Sequence, residues 1–163
     1  MKDISIAIFA YNRPSHLKRL LIALESYKID TINVFIDGPK NNKDKLIQEQ
    51  IIFMLKTSYK INIKIITRKK NLGLSKSLLK GIDYMSKKYK KFIILEDDVV
   101  PFKNFFKFIF NNLKKFEKDE SVSAICGYQF PEFNFLNEKK NFSLKNNYFI
   151  PWGWSTWSDK WIK

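Results

Sequence analysis

Apolar residues fall in short runs and helical stripes that alternate along the chain. Ile4–Ala10 is an unbroken, partly β-branched run, as expected of a strand buried on both faces. Ser15 then reads as a helix cap, and Leu17, Leu20, Leu21 and Leu24 recur at helical spacing. Thr31–Ile36 predicts a second strand, stopped by Asp37-Gly38-Pro39. From Asp44 to Lys56, the residues Leu46, Ile47, Ile51, Met54 and Leu55 predict a helix with one apolar face. The alternating isoleucines of Ile61–Thr67 predict a third strand. Ser75 opens a third helix running to Lys90, with Leu78, Leu79, Ile82 and Met85 facing inward. Phe92–Leu95 predicts a fourth strand, Phe102 to Phe116 a fourth helix and Val122–Cys126 a fifth strand. Gln129 to Asn147 reads as a loop, and no internal repeat or domain linker interrupts the series. Trp154, Trp157 and Trp161 fall at i, i+3 and i+7, which predicts one face of a last helix clamped onto the sheet.

Strand and helix alternate four times, the signature of an α/β fold: three layers, α/β/α, around a mostly parallel central sheet. In an open parallel sheet, ligands bind beyond the carboxyl ends of the strands. The polar residues expected there are Asn12, Arg13, Asp37, Arg68 and Glu96-Asp97-Asp98. They should converge on one edge of the sheet, giving a cleft with two arginines and four carboxylates.

Composition narrows the picture. The chain has 163 residues, 45% hydrophobic and 28% charged, which fits one globular domain with a real core. Its opening ten residues read as a first strand and not a signal peptide, so a cytoplasmic location is expected. The formal charge of +14 raises a nucleic-acid partner as a hypothesis. Only Arg13, Arg19 and Arg68 are arginines, however, and the lysines spread over the whole chain; Lys87 to Lys91 is the one dense run. That run reads first as a solvated helix end, next as attraction to an anionic membrane or a phosphorylated substrate, and only third as nucleic-acid binding. The single cysteine, Cys126, excludes an intrachain disulfide and sits among apolar neighbours as a small core residue. The only histidine, His16, falls at a helix start, too isolated to suggest a catalytic pair.

Three carboxylates, Glu96-Asp97-Asp98, close the fourth strand. They read either as a solvated acidic turn or as a site for Mg²⁺ or Mn²⁺ carrying a nucleotide diphosphate; such hard cations take one or two carboxylates plus phosphate oxygens and water. There is no G-x-x-x-x-G-K-[ST] loop and no G-x-G-x-x-G after the first strand, which argues against P-loop and dinucleotide redox chemistry. The first turn also lacks the glycine-rich loop of a sugar nucleotidyltransferase. Transfer of a group from a metal-held nucleotide donor remains.

Four segments resemble those of GT-A fold glycosyltransferases, both the broad family 2 and the N-acetylglucosaminyltransferase I-like group. Phe9-Ala10-Tyr11-Asn12-Arg13-Pro14 is similar to the family's opening strand and turn, and Val34 to Gly38 to its second strand. Asn71-Leu72-Gly73 resembles the N-x-G start of its third helix, and Ile94 to Phe102 its metal motif in the E-D-D form. Beyond these four, Ile150 to Trp157 is similar to the aromatic segment after the fifth strand. The resemblance implies a Rossmann-like nucleotide-diphosphosugar transferase fold, a UDP-sugar donor and an inverting reaction. It implies Asp98 as the metal ligand and as part of the catalytic apparatus, Asp97 near the ribose and Glu96 near the donor sugar. Asp37 would accept N3–H of uracil, and Arg13 would lie by the base or ribose, in a donor site with Tyr11 and Asn12. Arg68 or Lys76 would support the diphosphate, and Trp152 and Trp154 would lie on the acceptor side, where the livelier role is stacking on a sugar and the plainer one core packing.

An inverting enzyme needs a carboxylate base for the acceptor hydroxyl. The family's base follows the tryptophan segment at some distance. In a chain reaching Lys163 the base is therefore expected to be missing, with Asp159 the one remaining candidate. The acceptor would be a carbohydrate or glycolipid, with peripheral association at the inner face of the membrane as a further expectation. Two alternatives stay open: a nucleotidyltransferase on a similar sheet, and a non-catalytic basic module for nucleic acid or anionic membrane.

Overall fold

The computed structural model describes residues 4–27, 29, 31–128 and 145–163. Its strands are β1 (Ile4–Ala10), β2 (Thr31–Ile36), β3 (Asn62–Thr67), β4 (Lys91–Glu96), β5 (Ala124–Cys126) and β6 (Trp154–Trp157). Its helices are α1 (Pro14–Ser26), α2 (Asn42–Thr57), α3 (Leu74–Ser86), α4 (Phe105–Lys115) and α5 (Ser158–Ile162). The sheet order is β3-β2-β1-β4-β6-β5. β1 pairs in parallel with β2 and β4, and β2 with β3; β6 runs antiparallel to β4 and β5. The expected α/β fold with a mostly parallel sheet is present.

The period of two along β1 sorts its side chains between two layers. Ile6, Ile8 and Ala10 pack with Leu17, Leu20, Leu21 and Leu24 of α1, with Ile51 and Leu55 of α2 and with α4. Ala7 and Phe9 face the other way, against Phe35 and Ile82 and Met85 of α3. Phe9 stacks on Phe35 with ring centroids 5.0 Å apart.

Several sequence expectations are corrected. Ser15 is not the cap of α1: the N-cap is Arg13, and Pro14, whose missing N–H costs nothing there, leads the helix. Leu46 and Leu79 are 62% and 52% exposed, although both were expected to face the core. In α2 the buried positions are Asp44, Gln48, Ile51 and Leu55 at i, i+4, i+7 and i+11, so two polar residues occupy the inward face near its start. The tryptophans are not on one helical face either, because Trp154 and Trp157 belong to β6. A spacing of three puts residues on the same side of a helix but on opposite sides of a strand. Accordingly Trp154 fills the α3 layer and Trp157 the α1–α4 layer, each closing one side of the sheet. Of the stretch expected as a loop, residues 129–144 lie outside the described residues.

Candidate donor site at the carboxyl edge of the sheet

The parallel ladder brings the ends of β1, β2 and β4 together, and backbone pairing continues one residue past the strands. Asp37 N donates to Ala10 O at 3.4 Å, and Asp97 N to Phe9 O at 3.1 Å. A cleft of about 250 Å³ opens there, lined by the turn from Phe9 to Arg13 and by Asp37, Lys40, Asn71, Gly73, Leu74, Ser77, Glu96 and Asp97. Of the residues singled out from sequence, the structure therefore gathers Tyr11, Asn12, Arg13, Asp37, Glu96 and Asp97 around one cavity, with Asp98 beside it.

Arg13 joins the first turn to the acidic segment. Its guanidinium donates to a carboxylate oxygen of Asp97 and, at 2.8 Å, to Oδ2 of Asp98. A planar fork suits two carboxylates at once. Asp97 is 1% exposed, and burial raises its pKa from the ordinary value against the opposing pull of Arg13. Glu96 is also raised, first by burial and then by the charges of Asp98 and Asp97. Asp98 is the accessible member of the three, with a side chain 41% exposed. Among the described residues, Oδ1 of Asp98 takes part in no hydrogen bond.

Asp37 is 7% exposed and accepts three backbone N–H groups. Gly38 N donates at 2.9 Å, Leu72 N to both carboxylate oxygens at 3.0 and 3.1 Å, and Gly73 N at 3.0 Å. Asn71 Nδ2 adds a bond to Gly38 O at 2.7 Å. Asp37 thus organises the loop that leads into α3, where Gly73 takes φ +77 as the N-cap. These contacts give each carboxylate oxygen two donors, with Leu72 N shared between the two, so the about four acceptor positions are filled.

The structure does not bring every candidate to the cleft. Arg68 turns toward α3, donating to Ser77 O at 3.2 Å and to Ser77 Oγ at 3.4 Å. Lys76 is exposed on α3 and does not line the cavity. Trp152 is 50% exposed, with its ring edge-on to Tyr128 at 4.8 Å, whereas Trp154 is 6% exposed in the core. Asp159 lies away from the cleft. β6 pairs Trp154 with Ile94 and Trp157 with Lys91, so α5 leaves at the amino end of β4. At about 3.3 Å per residue, the length of β4 separates Asp159 from the acidic segment. Cys126 lies outside the cleft lining, and burial pushes its thiol up, as suits an inert core residue.

Sequence reasoning gave no site role to Lys40, Asn71 or Asp44. Lys40 Nζ lies 5.9 Å from the centroid of the Tyr11 ring. Asp44 is 7% exposed and accepts from Tyr11 Oη at 2.6 Å and Asn12 Nδ2 at 2.8 Å. The signal was present in the polar i, i+4 pair Asp44 and Gln48 on the inward face of α2; Gln48 Nε2 donates to Asp37 O at 2.9 Å.

For a metal, the donor set is all oxygen, as Mg²⁺ or Mn²⁺ prefers. Among the described residues, no group of three or more His, Cys, Asp or Glu side chains is arranged to hold an ion. Hard cations take one or two carboxylates plus ligand oxygens and water, and Asp98 is the accessible carboxylate here.

The raised carboxyls have a consequence for stability. A folded state that holds a proton more tightly than the unfolded chain is favoured in acid, and it loses that advantage as pH rises from the ordinary value, 4.5 for Glu96, through the raised one. Glu96→Gln is therefore expected to raise the melting temperature at pH 7, and the gap should close as the pH falls below about 4.5. Thermal melts across pH 4–8 check this; equal melting at pH 7 would show that Glu96 carries no electrostatic strain.

The mixed six-stranded sheet flanked by helices, with its carboxyl-edge cleft, is consistent with the GT-A, Rossmann-like fold. Residues 5–158 match the model of glycosyl transferase family 2, and the chain belongs to that family. An uncharacterized protein of Methanocaldococcus jannaschii is 33% identical over 91 residues, spanning 55% of this chain and 37% of that protein. Among solved structures, the mannosyltransferase PcManGT from Pyrobaculum calidifontis, in complex with GDP-Man and Mn²⁺, superposes with a TM-score of 0.53 at 12% identity. The match covers 82% of this chain and 37% of that one. A 4-diphosphocytidyl-2C-methyl-D-erythritol synthase from Anaerococcus prevotii gives 0.54 at 17% identity, covering 96% of this chain and 71% of that one. At these identities the structural likeness shows the fold alone. This chain spans a little over a third of the length of the M. jannaschii relative and of PcManGT.

Proposed function

We propose that this chain is the donor-binding part of a glycosyltransferase that moves a sugar from a UDP-sugar to an acceptor hydroxyl, with a divalent metal and with inversion. The carrying observation is the cleft where the first turn, Asp37 and the acidic end of β4 meet, with Asp98 accessible at its side. Asp37 lines the cleft, and in this reading Leu72 N narrows to one carboxylate oxygen so that the other accepts N3–H of uracil. In this reading Arg13 lies by the base or ribose, Tyr11 and Asn12 wall the nucleoside, and Asp97 and Glu96 lie toward ribose and sugar. Mg²⁺ or Mn²⁺ at Asp98 would neutralise the diphosphate leaving group. PcManGT is a family-type precedent, since it was solved with a nucleotide-sugar and Mn²⁺.

The acceptor in this reading is a carbohydrate or glycolipid, with Trp152 as the exposed aromatic for sugar stacking. None of the helices among the described residues is long and apolar enough to cross a membrane. Peripheral contact at the inner membrane face agrees with the charge of +14 and with Phe102, which is 80% exposed beside the acidic segment.

The test is thermal protection by UDP-, GDP- and CMP-sugars with Mn²⁺, since a ligand of the native state alone raises its melting temperature. UDP should also bind at least about tenfold more tightly than CDP, because cytosine N3 carries no hydrogen and would leave the Asp37 carboxylate facing a lone pair. Equal binding of the two would remove Asp37 as the base reader. The synthase neighbour keeps a nucleotidyltransferase as the second reading. Release of pyrophosphate instead of a nucleoside diphosphate would favour it.

A further inference from the structure

We propose that Asp44 is the positioning residue of the donor cleft: its buried carboxylate locks the Tyr11-Asn12 wall and thereby sets nucleotide affinity. This deepens the donor reading above and rests on it. Asp44 stands at the third helical position of α2, where an acid ordinarily reaches back to the N-cap residue's own N–H. Here Asn41 already caps the helix, accepting from Asp44 N at 2.9 Å. The Asp44 carboxylate is directed elsewhere. It accepts from Tyr11 Oη at 2.6 Å and Asn12 Nδ2 at 2.8 Å, across 33 and 32 residues of sequence, and from Lys40 N at 3.3 Å. Tyr11 Oη in turn accepts from Lys40 N at 3.1 Å, so the phenol is held from both sides.

The protonation states are set to match. Hydrogen bonds from Tyr11 and Asn12 hold the Asp44 carboxyl below its ordinary value, while burial and Asp44 push the Tyr11 phenol up. At neutral pH one is a pure acceptor and the other a donor. Tyr11 and Asn12 line the cleft and Asp44 does not, so Asp44 acts through them. A carboxylate buried to this degree is costly unless its hydrogen bonds are made, and a cap alone does not require one. The turn carrying Tyr11 and Asn12 has no ladder of its own, and this contact fixes it to α2. It also sets the starting point from which Arg13 reaches Asp97 and Asp98.

The experiment is calorimetric titration of UDP, with Mn²⁺ present, into the wild type, Asp44→Asn, Tyr11→Phe, the double variant and Asn41→Ala. Asp44→Asn puts a donor where Asn12 donates, and Tyr11→Phe removes only the bridging oxygen; each should weaken UDP at least about tenfold. The double variant should lose less than the sum, as expected for partners in one network. Asn41→Ala should lower the melting temperature as a lost cap does, yet leave UDP affinity within about twofold. If the wild type binds UDP and both single variants bind it equally well, Asp44 is only a structural residue and the proposal is overturned while the donor reading stands. If the wild type binds no nucleoside diphosphate, the donor reading fails and takes the proposal with it. Should Asp44→Asn not fold, Tyr11→Phe decides between these outcomes alone.

Discussion

Asp98→Ala should abolish Mn²⁺-dependent UDP binding and leave the melting temperature of the free protein at or above that of the wild type. Asp98 has a side chain 41% exposed, and its one hydrogen bond among the described residues goes to Arg13. Arg13 keeps Asp97 as a partner after the substitution, so no buried charge is stranded. Removing the Asp98 charge also relieves Glu96 and Asp97, both of which it pushes toward protonation. The fold therefore loses nothing large, whereas the proposed metal site loses its accessible carboxylate. Calorimetry of UDP with and without Mn²⁺ checks the first half and thermal melts the second. Unchanged UDP affinity in the variant with Mn²⁺ present would sink the metal assignment.

Gly38→Ala should be the most damaging single methyl in the site. A Cβ at Gly38 would lie 2.2 Å from the carbonyl carbon of Lys70, 2.5 Å from its oxygen and 2.6 Å from Asn71 N. All three are backbone atoms, so the loop at 70–73 must move as a unit. Moving it breaks the bonds from Leu72 N and Gly73 N to Asp37 and the bond from Asn71 Nδ2 to Gly38 O. Leaving a buried carboxylate short of donors costs about 1–3 kcal/mol or more. At about 2–4 °C per kcal/mol for a chain of this size, a fall of several degrees follows, together with loss of UDP binding. A variant that melts and binds UDP like the wild type would show that the loop has room the structure denies it.

The apolar runs located every parallel strand within a residue or two, because buried strands and amphipathic helices leave their period in consecutive residues. The convergence of Asn12, Arg13, Asp37 and Glu96 to Asp98 was equally legible: all follow strands that run in parallel, and parallel strands deliver their ends to one edge. The failures share a different cause. A spacing of three marks one side of a helix and both sides of a strand, so the tryptophans were ambiguous until β6 was seen pairing with β4. Leu46 was placed inward by its chemistry, although Asp44 and Gln48 hold the inward positions because that end of α2 abuts the cleft.

By itself, then, the chain determined its α/β class, the order of its elements as far as β5 and the edge where the acidic and basic side chains converge, since each follows from local periodicity and the direction of parallel strands. Only the tertiary structure decided the partners. Arg13 bridges Asp97 and Asp98, Arg68 turns to Ser77, Asp37 gathers the amides of residues 38, 72 and 73, and Asp44 holds Tyr11 and Asn12. Asp159, the one remaining candidate for the base, leaves at the far end of β4 because β6 runs antiparallel. Charged and polar side chains choose partners by distance in space and by burial, and neither quantity is written in the spacing of residues along a chain.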